Sequence, residues 1–251
     1  MFNTTIATQI YAKICFEATN SQKKIIENLS EYLSDDDFSR IFVLNGFAGT
    51  GKTTLIAALV AALKELRIKP VLLAPTGRAA KVLARYCGEQ ALTIHKRIYR
   101  QRTNADYESK FSLDFNREQG AVFIVDEASM LSDSTGDGAL FGSGSLLEDL
   151  VSYVRSGRGC RLILVGDSAQ LPPVGCDFSP ALDPATVSRY GEVVYGLMDE
   201  VVRQQMQSGI LFNATLVRCM LENRIYEIPK FEMDYPDFES VEGGDFMEKL
   251  Q

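Results

Sequence analysis

The chain has 251 residues, of which 46% are hydrophobic, and a formal net charge of −7 at pH 7. This length fits one large domain or one domain with an appendage, and the apolar content is enough for a sizeable core. Because the sequence has no run of 18 apolar residues, no charged-then-apolar leader and no CxxC pair among its five cysteines, we expect no membrane span, no signal peptide, no disulfide framework or zinc site, and a cytoplasmic location.

Residues 1–19 carry no motif, and we expect them to be an extension that precedes the first domain. The apolar run at 41–44 predicts a buried strand, and the Ala- and Leu-rich run at 52–67 predicts a helix. Between them, the sequence GFAGTGKT from Gly46 to Thr53 fits the phosphate-loop pattern, GxxxxGK followed by Ser or Thr, at every fixed position. A glycine-rich surface turn is the alternative, but the strand before the loop and the helix after it favour an anion site.

Each part of this loop has a chemical role. Glycines let backbone N–H groups converge on phosphate oxygens without Cβ clashes. Lys52 can then reach the β- and γ-phosphates, and the Thr53 hydroxyl can bind Mg²⁺. The sequence therefore predicts that the chain binds ATP together with Mg²⁺. The predicted nucleotide-binding residues of the loop are Gly46, Phe47, Ala48, Gly49, Thr50, Gly51, Lys52, Thr53 and Thr54.

Further apolar runs predict strands at 70–74, 121–125 and 161–165, and helices are expected at 77–87 and 145–157. Each apolar run is continuous rather than alternating, which is typical of strands that are covered on both faces. The alternation of strand and helix therefore predicts an α/β fold with a doubly wound, mainly parallel sheet and helices on both faces. In such a sheet, ligands bind at the carboxyl ends of the strands.

Asp126 and Glu127 directly follow the apolar run at 121–125. A carboxylate at a strand end near a phosphate loop is placed to hold Mg²⁺, usually through water. A second carboxylate beside it can take a proton from the attacking water or orient that water. A solvated acidic turn is the alternative, which the preceding strand disfavours. We therefore predict Thr53 and Asp126 as metal ligands, and Lys52 and Glu127 as catalytic residues.

Polar stretches interrupt or follow this core. Residues 99–120 predict an inserted loop or small hairpin, and residues 132–145 predict a second insert, rich in Gly, Ser and Asp. A helix is expected at 208–223. Residues 225–251 carry eight acidic residues and two lysines, a balance of −6, which leaves residues 1–224 near −1. This acidic segment fits a tail, the start of a link to a following domain, or a solvated surface stretch.

Five segments occur in an order and spacing that resemble one enzyme family. They are GFAGTGKTT (46–54), LLAPTGRAAKVL (72–83), TIHKRIY (93–99), VDEASML (125–131) and LVGDSAQLPPVG (164–175). These segments resemble motifs I, Ia, Ib, II and III of superfamily 1 DNA helicases, in the branch that contains the RecD and Dda helicases. The resemblance covers residues 20–225 and implies a P-loop NTPase fold, with a RecA-like motor domain, domain 1A, at 20–224.

The resemblance also implies roles for residues outside the phosphate loop. Gln170 resembles the motif III glutamine that contacts the γ-phosphate, and Gln22 resembles the glutamine upstream of motif I that reads the adenine edge. Arg203 resembles the motif IV arginine, which stabilises charge on the γ-phosphate in the transition state. Gln170 and Arg203 thus join the predicted catalytic residues. Each residue has a structural alternative. Gln170 could be a turn glutamine that faces solvent, and Gln22 a glutamine at the start of a helix. Arg203 could form a surface salt bridge with Glu200 or Asp199.

Motifs Ia and Ib are implied to contact the backbone of single-stranded DNA, because their hydroxyl and cationic side chains suit phosphates. His95, the one histidine of the chain, is favoured as a strand contact by its motif, although a lone histidine is more often structural. Because the chain lacks a basic excess, we expect it to bind DNA weakly by itself. The predicted DNA-binding residues are Pro75, Thr76, Arg78, Thr93, His95 and Lys96.

Superfamily 1 helicases use two RecA-like domains and hold ATP between them. After Arg203 nothing resembles motifs V and VI of the second domain, so the chain looks like the N-terminal half of a helicase. A second RecA-like domain or a partner subunit would complete it. Translocation from 5′ to 3′ follows from the resemblance alone. Two alternatives are a P-loop phosphotransferase, which the motif III sequence disfavours, and a nucleotide-binding module without turnover.

Overall fold

A computed structural model describes residues 2–14, 17–103, 109–133, 141–202 and 208–237. Within these ranges the strands are β1 (Ile41–Gly46), β2 (Pro70–Ala74), β3 (Ala91–Thr93), β4 (Tyr99–Thr103), β5 (Ser109–Leu113), β6 (Val122–Val125), β7 (Arg161–Gly166) and β8 (Val193–Met198). The α-helices are α1 (Phe2–Lys13), α2 (Asn20–Ser34), α3 (Lys52–Glu65), α4 (Gly77–Cys87), α5 (Ile94–Ile98), α6 (Leu146–Ser156), α7 (Pro184–Val187) and α8 (Gly209–Glu222). None of these helices has the length and apolar character needed to cross a membrane.

Six strands form a parallel sheet in the order β3-β2-β6-β7-β1-β8. The four predicted strands form its centre, and the predicted helices that follow them are present as α3, α4 and α6. Two strands absent from the prediction, β3 and β8, lie at the edges. β3 has only three residues, and β8 has exposed positions, so neither gives the continuous buried run of the central strands. The predicted α/β fold with a parallel sheet is therefore confirmed.

Both faces of the sheet are covered, because successive residues of a strand point to opposite sides. Phe42 and Leu44 of β1 belong to a buried cluster that includes residues of α1, α2 and α3. Val43, between them in the sequence, belongs to a second cluster with residues of α5 and α6. Helices on both faces explain why the central strands are apolar at every position instead of at every second one.

Residues 1–19 are expected to be an extension because they carry no motif. In the structure, helix α1 from this segment packs against α2 and α3. Its residues Ile6 and Ile10 are one helical turn apart, and both are buried in the core. The chain divides into one compact unit at 1–200 and a second at 201–251, and α1 belongs to the first. The predicted domain boundaries at residues 19 and 224 stay predictions.

The stretch predicted as a loop or small hairpin contains the antiparallel hairpin of β4 and β5, in which Tyr99 is opposite Leu113. Phe111 of this hairpin stacks on Phe141, with ring centroids 4.5 Å apart. Residues 134–140 of the second predicted insert lie outside the described residues. The hairpin is thus a separate two-stranded sheet, placed directly after α5.

The second unit contains α8, which confirms the helix expected there. At the start of the helix, Asp237 accepts hydrogen bonds from the Ser208 hydroxyl and the Gly209 N–H, each with a length of 2.6 Å. Asn213 exchanges two hydrogen bonds of 2.8 Å with the backbone of Glu232. The described part of the acidic segment therefore lies along α8.

Candidate active site

Three neighbouring strands finish at the same end of the sheet, which is called here its carboxyl edge. β1 is next to β7, and β7 is next to β6. The phosphate loop follows β1, Asp126 and Glu127 follow β6, and Asp167 follows β7. Because all these strands are parallel, the loop and the three carboxylates lie at the carboxyl edge, where ligands bind in such sheets.

The phosphate loop has the backbone form that its glycines predict. Gly49 and Gly51 have φ values of 76° and 84°, in the left-handed region that favours glycine. The Thr50 hydroxyl donates to the carbonyl of Phe47 over 2.8 Å, which closes the loop. Helix α3 begins directly after Gly51, so its N-terminal N–H groups open onto the loop, an arrangement that suits phosphate.

Gly46 allows the side chain of Lys52 to lie close to the backbone of β1. A Cβ atom at Gly46 would be 2.8 Å from Lys52 Cγ and 3.0 Å from Met198 Cβ. We therefore expect Gly46→Ala to displace Lys52 and to weaken Mg·ADP binding about tenfold, since overpacking of this kind costs about 1–3 kcal/mol. Calorimetric titration measures the dissociation constant. Gly77→Ala is the matched control, because a Cβ at Gly77 meets nothing within 4 Å; equal losses in the two variants would contradict this prediction.

Lys52 lies within the loop among oxygen atoms. Its ammonium group donates to the carbonyl of Gly46 and, over 2.9 Å, to the carbonyl of Phe47. Its Nζ is also 3.8 Å from Oδ2 of the buried Asp167. Lys52 therefore neutralises part of the negative charge that the strand-end carboxylates bring to this edge.

The acidic pair after β6 is partly buried, and burial changes its protonation equilibrium. Burial raises the pKa of Asp126, against the lowering effects of a backbone hydrogen bond from Glu127 and of the Lys52 charge. Burial and the charges of Asp126 and Asp167 raise the pKa of Glu127, while Lys52 lowers it. Glu127 also has a φ of 55°, an unfavourable conformation for a residue with a side chain and one that is common at functional sites. The pair thus combines electrostatic and conformational strain.

The donor set at this edge fits Mg²⁺. Three carboxylates and one lysine influence one another there, so negative charge is in excess and a divalent cation would offset it. In the part of the chain that the structure describes, no three His, Cys, Asp or Glu side chains are grouped closely enough to hold a metal ion by themselves. Mg²⁺ commonly takes one or two protein ligands and completes its shell with water and nucleotide phosphates. Thr53, on the first turn of α3, and Asp126 could supply these ligands.

Asp167 lies in the motif III segment but is not among the predicted site residues. It is almost fully buried, and its Oδ1 accepts the N–H of Ala169 over 2.9 Å. Its position directly after an apolar strand is the same signal that identifies Asp126. Gln170 follows in the same turn, where its N–H donates to the Asp167 carbonyl over 3.1 Å and its side chain is exposed.

Gln22 contacts the phosphate loop from the protein interior. Its Oε1 accepts the N–H of Thr19 over 3.0 Å, as part of the capping box of α2. Its Nε2 donates to the Thr50 carbonyl over 2.9 Å. Both polar atoms of this buried amide are thus bound within the protein, and its contact with adenine stays a prediction. Arg203 lies outside the described residues.

Motifs Ia and Ib lie side by side, because β2 pairs with β3 and Ala74 is opposite Thr93. Thr76 caps α4 and Thr93 caps α5, each accepting a backbone N–H over 3.2 Å. A capping hydroxyl still has its own O–H, which can donate to a phosphate oxygen. The predicted DNA-binding residues are all exposed or half exposed here: Pro75, Thr76, Arg78, Thr93, His95 and Lys96.

His95 is half-buried and lies in an aromatic cluster. Its ring centroid is 5.0 Å from that of Phe141 and 5.6 Å from that of Tyr99. The Tyr99 hydroxyl donates to the buried Asp149 over 2.6 Å, which anchors the cluster to α6. Burial lowers the pKa of His95, so the ring is neutral at pH 7. It can offer DNA a hydrogen bond but not a full charge.

A parallel sheet with a phosphate loop after one strand, and carboxylates after the next two strands in the sheet, defines a P-loop NTPase. Residues 17–211 match the AAA_30 family, an AAA domain, and the chain belongs to this family.

Two ATP-dependent DNA helicases are similar to the chain in sequence. The RecD2 helicase of Deinococcus radiodurans is 30% identical over 154 residues, which cover 61% of this chain and 19% of that protein. The Dda helicase of Enterobacteria phage T4 is 34% identical over 136 residues, which cover 52% of this chain and 28% of that protein. The predicted resemblance to the RecD and Dda branch is therefore confirmed, and the chain spans less than a third of either relative.

The fold also matches a solved helicase structure. The Pif1 helicase of Bacteroides sp, crystallised with ADP-AlF4, superposes with a TM-score of 0.51 at 18% sequence identity. The match covers 87% of this chain and 49% of that one. At this level of identity the likeness concerns the fold alone, and it agrees with the P-loop NTPase architecture.

Proposed function

We propose that the chain is the ATP-binding motor portion, domain 1A, of an ATP-dependent DNA helicase. The whole protein would use ATP hydrolysis to move along single-stranded DNA from 5′ to 3′. The observation that carries the proposal is the convergence of Lys52, Asp126 and Glu127 at the carboxyl end of the sheet, with motifs Ia and Ib at the ends of strands in the same sheet. The names of RecD2 and Dda, both ATP-dependent DNA helicases, agree with it.

In this proposal the loop at 46–54 holds the phosphates of ATP. Lys52 contacts the β- and γ-phosphates, and Glu127 accepts a proton from the attacking water. Thr53 and Asp126 hold Mg²⁺, which would offset charge on the phosphates when it is bound. The raised pKa of Glu127 supports this role, because a carboxylate with a raised pKa is a better base.

Gln170 contacts the γ-phosphate and Gln22 the adenine in the same proposal, and Arg203 stabilises charge in the transition state. A second RecA-like domain, on the same polypeptide or on a partner subunit, closes the site from the other side. Arginines supplied to such sites contribute on the order of 10³–10⁵ in rate. We therefore expect hydrolysis by this chain alone to be slow.

The test measures ATP binding and hydrolysis with and without single-stranded DNA, both for this chain and for a form that includes a second RecA-like domain. We expect binding by both forms, slow hydrolysis by the chain alone, and DNA stimulation of the two-domain form. Binding without hydrolysis in either form would indicate a nucleotide-binding module. Phosphate transfer to an added acceptor would indicate a phosphotransferase. Fast, DNA-stimulated hydrolysis by the chain alone would show that the second domain is not required.

Arg78→Ala is expected to weaken binding of a labelled oligonucleotide regardless of its base sequence. One lost phosphate contact should lower the slope of log affinity against log salt by about 0.7 for a single strand. Fluorescence anisotropy at several salt concentrations, on the two-domain form, measures this slope. The matched control is Arg158→Ala. It removes an exposed arginine just before β7, at the amino ends of the strands and away from motifs Ia and Ib.

His95→Ala is expected to weaken DNA binding without changing the salt slope, because the ring is neutral at pH 7. The same anisotropy titrations measure this effect. If both Arg78→Ala and His95→Ala bind DNA as tightly as the parent protein, the strand follows another path across the domain.

A further inference from the structure

Asn45 joins the phosphate-loop strand to the motif III turn. It directly precedes Gly46 and is only 5% exposed. Its Oδ1 accepts the N–H of Ser168 over 3.0 Å, and its Nδ2 donates to the Ser168 hydroxyl over 2.8 Å. Nδ2 also donates to the hydroxyl of Tyr195, on β8, over 3.0 Å. One buried amide therefore holds Ser168 by both its main chain and its side chain.

Ser168 lies between two residues that belong to the nucleotide site. Asp167 precedes it, with its carboxylate 3.8 Å from Lys52 Nζ. Gln170 follows it, and the N–H groups of Ala169 and Gln170 both bond back to Asp167, over 2.9 and 3.1 Å. Residues 167–170 thus form a closed turn, and the position of Ser168 sets the position of the whole turn.

The sheet itself does not hold this turn. The parallel pairing of β1 with β7 ends where Asn45 is opposite Gly166, and residues 167–170 lie beyond it. Beyond this point, the Asn45 side chain makes two hydrogen bonds with Ser168, which join the end of β1 to the turn that follows β7. A buried amide in an apolar strand is costly unless it is hydrogen-bonded, and here three contacts satisfy it.

We infer that Asn45 is a positioning residue for recognition of the γ-phosphate. It holds the motif III turn at the distance from the phosphate loop at which Gln170 reaches the γ-phosphate. The inference rests on the proposed function, and it concerns the preference for ATP over ADP, because ADP has no γ-phosphate. Asn45 itself does not contact the nucleotide in this scheme.

The experiment compares Asn45→Ala with Tyr32→Phe. The Tyr32 hydroxyl likewise bonds both a carbonyl and an N–H of β7, those of Leu162, at distances of 2.8 and 3.1 Å, but at the amino end of the strand. Calorimetry gives dissociation constants for Mg·ADP and for a Mg-bound, non-hydrolysable ATP analogue. In Asn45→Ala we expect ADP affinity within about twofold of wild type. We expect the ratio of the ADP dissociation constant to that of the ATP analogue to fall about threefold to tenfold, because the hydrogen bond from Gln170 to the γ-phosphate would be weakened and not lost. Tyr32→Phe should keep the wild-type ratio.

Hydrogen–deuterium exchange provides a second measurement that global destabilisation would not reproduce. Amide exchange at residues 168–170 should rise in Asn45→Ala and stay unchanged in Tyr32→Phe, because only the first variant frees the Ser168 N–H. If Asn45→Ala does not fold, Ser168→Ala removes one of the same contacts and should lower the ratio about twofold. An unchanged ratio, or an equal fall in Tyr32→Phe, overturns the inference. Failure of the wild-type chain to bind ADP would instead overturn the proposed function.

Discussion

Replacing Glu127 by glutamine is expected to lower the rate of ATP hydrolysis by about 10²–10⁴-fold, the usual contribution of a general base, while nucleotide binding is retained. Glutamine keeps the size of the side chain and can still hydrogen-bond water, but it cannot accept the proton. Removing one charge beside Asp126 and Asp167 also reduces repulsion of phosphate, so Mg·ATP affinity should not fall. Phosphate release at saturating ATP measures the rate, and calorimetry measures the affinity.

Glu148→Gln is the control for this variant, because it makes the same chemical change at an exposed position on the first turn of α6. Its hydrolysis rate should equal that of the parent. Because the chain alone is expected to be slow, the two variants are compared at high protein concentration and again in the two-domain form. Equal rates for Glu127→Gln and the parent would assign the proton to a different acceptor.

The centre of the sheet and the phosphate loop could be predicted because their signals are local. A buried strand between two helical layers is apolar at each position, and the loop needs glycines at set places, as the φ values of Gly49 and Gly51 show. The relation between strands is not local. The pairing of β7 with both β1 and β6 brings Asp167 to Lys52, and nothing in the order of the segments along the chain states that pairing.

Other residues were ambiguous because a short pattern permits two environments. The sequence from Thr19 to Gln22 is compatible both with a capping box and with an adenine contact. The structure shows the capping box, and the Gln22 side chain also donates to the Thr50 carbonyl in the phosphate loop. Thr93 to His95 fits a DNA-binding motif, yet the ring packs against Phe141 from a distant part of the chain. Tertiary contacts of this kind decide how a side chain is used, and a single sequence does not contain them.

Net charge is a poor guide to the proposed DNA-binding surface of this chain. The total is −7, but Arg78, Lys81 and Arg85 follow one another on α4 at spacings of three and four residues, and all three are exposed. Such spacings place them on one face of the helix. Lys81 and Arg85 lie outside the predicted DNA-binding set, because the motif resemblance singles out only the start of α4. A local positive face can therefore accompany an acidic total charge.

Lys52→Ala is expected to lower the affinity for Mg·ADP and Mg·ATP by about tenfold to 150-fold, the equivalent of one charge-assisted hydrogen bond of about 1.5–3 kcal/mol. The loss should lie toward the upper end of this range. Lys52 influences Asp126, Glu127 and Asp167, so its removal leaves three carboxylates facing the phosphates with less compensation. Calorimetric titration of the isolated chain measures both affinities and does not require turnover.

Lys64→Ala is the matched control, because Lys64 lies near the other end of the same helix and pairs with Glu89 at the surface. Exposed pairs of this kind contribute little, about 0–1 kcal/mol, so this variant should fold normally and bind nucleotide like the parent. A specific loss in Lys52→Ala would locate the phosphates at the start of α3. Equal affinities for Lys52→Ala, Lys64→Ala and the parent would mean that nucleotide binds elsewhere on the chain, and the roles of Thr53, Asp126 and Glu127 would fall with that result.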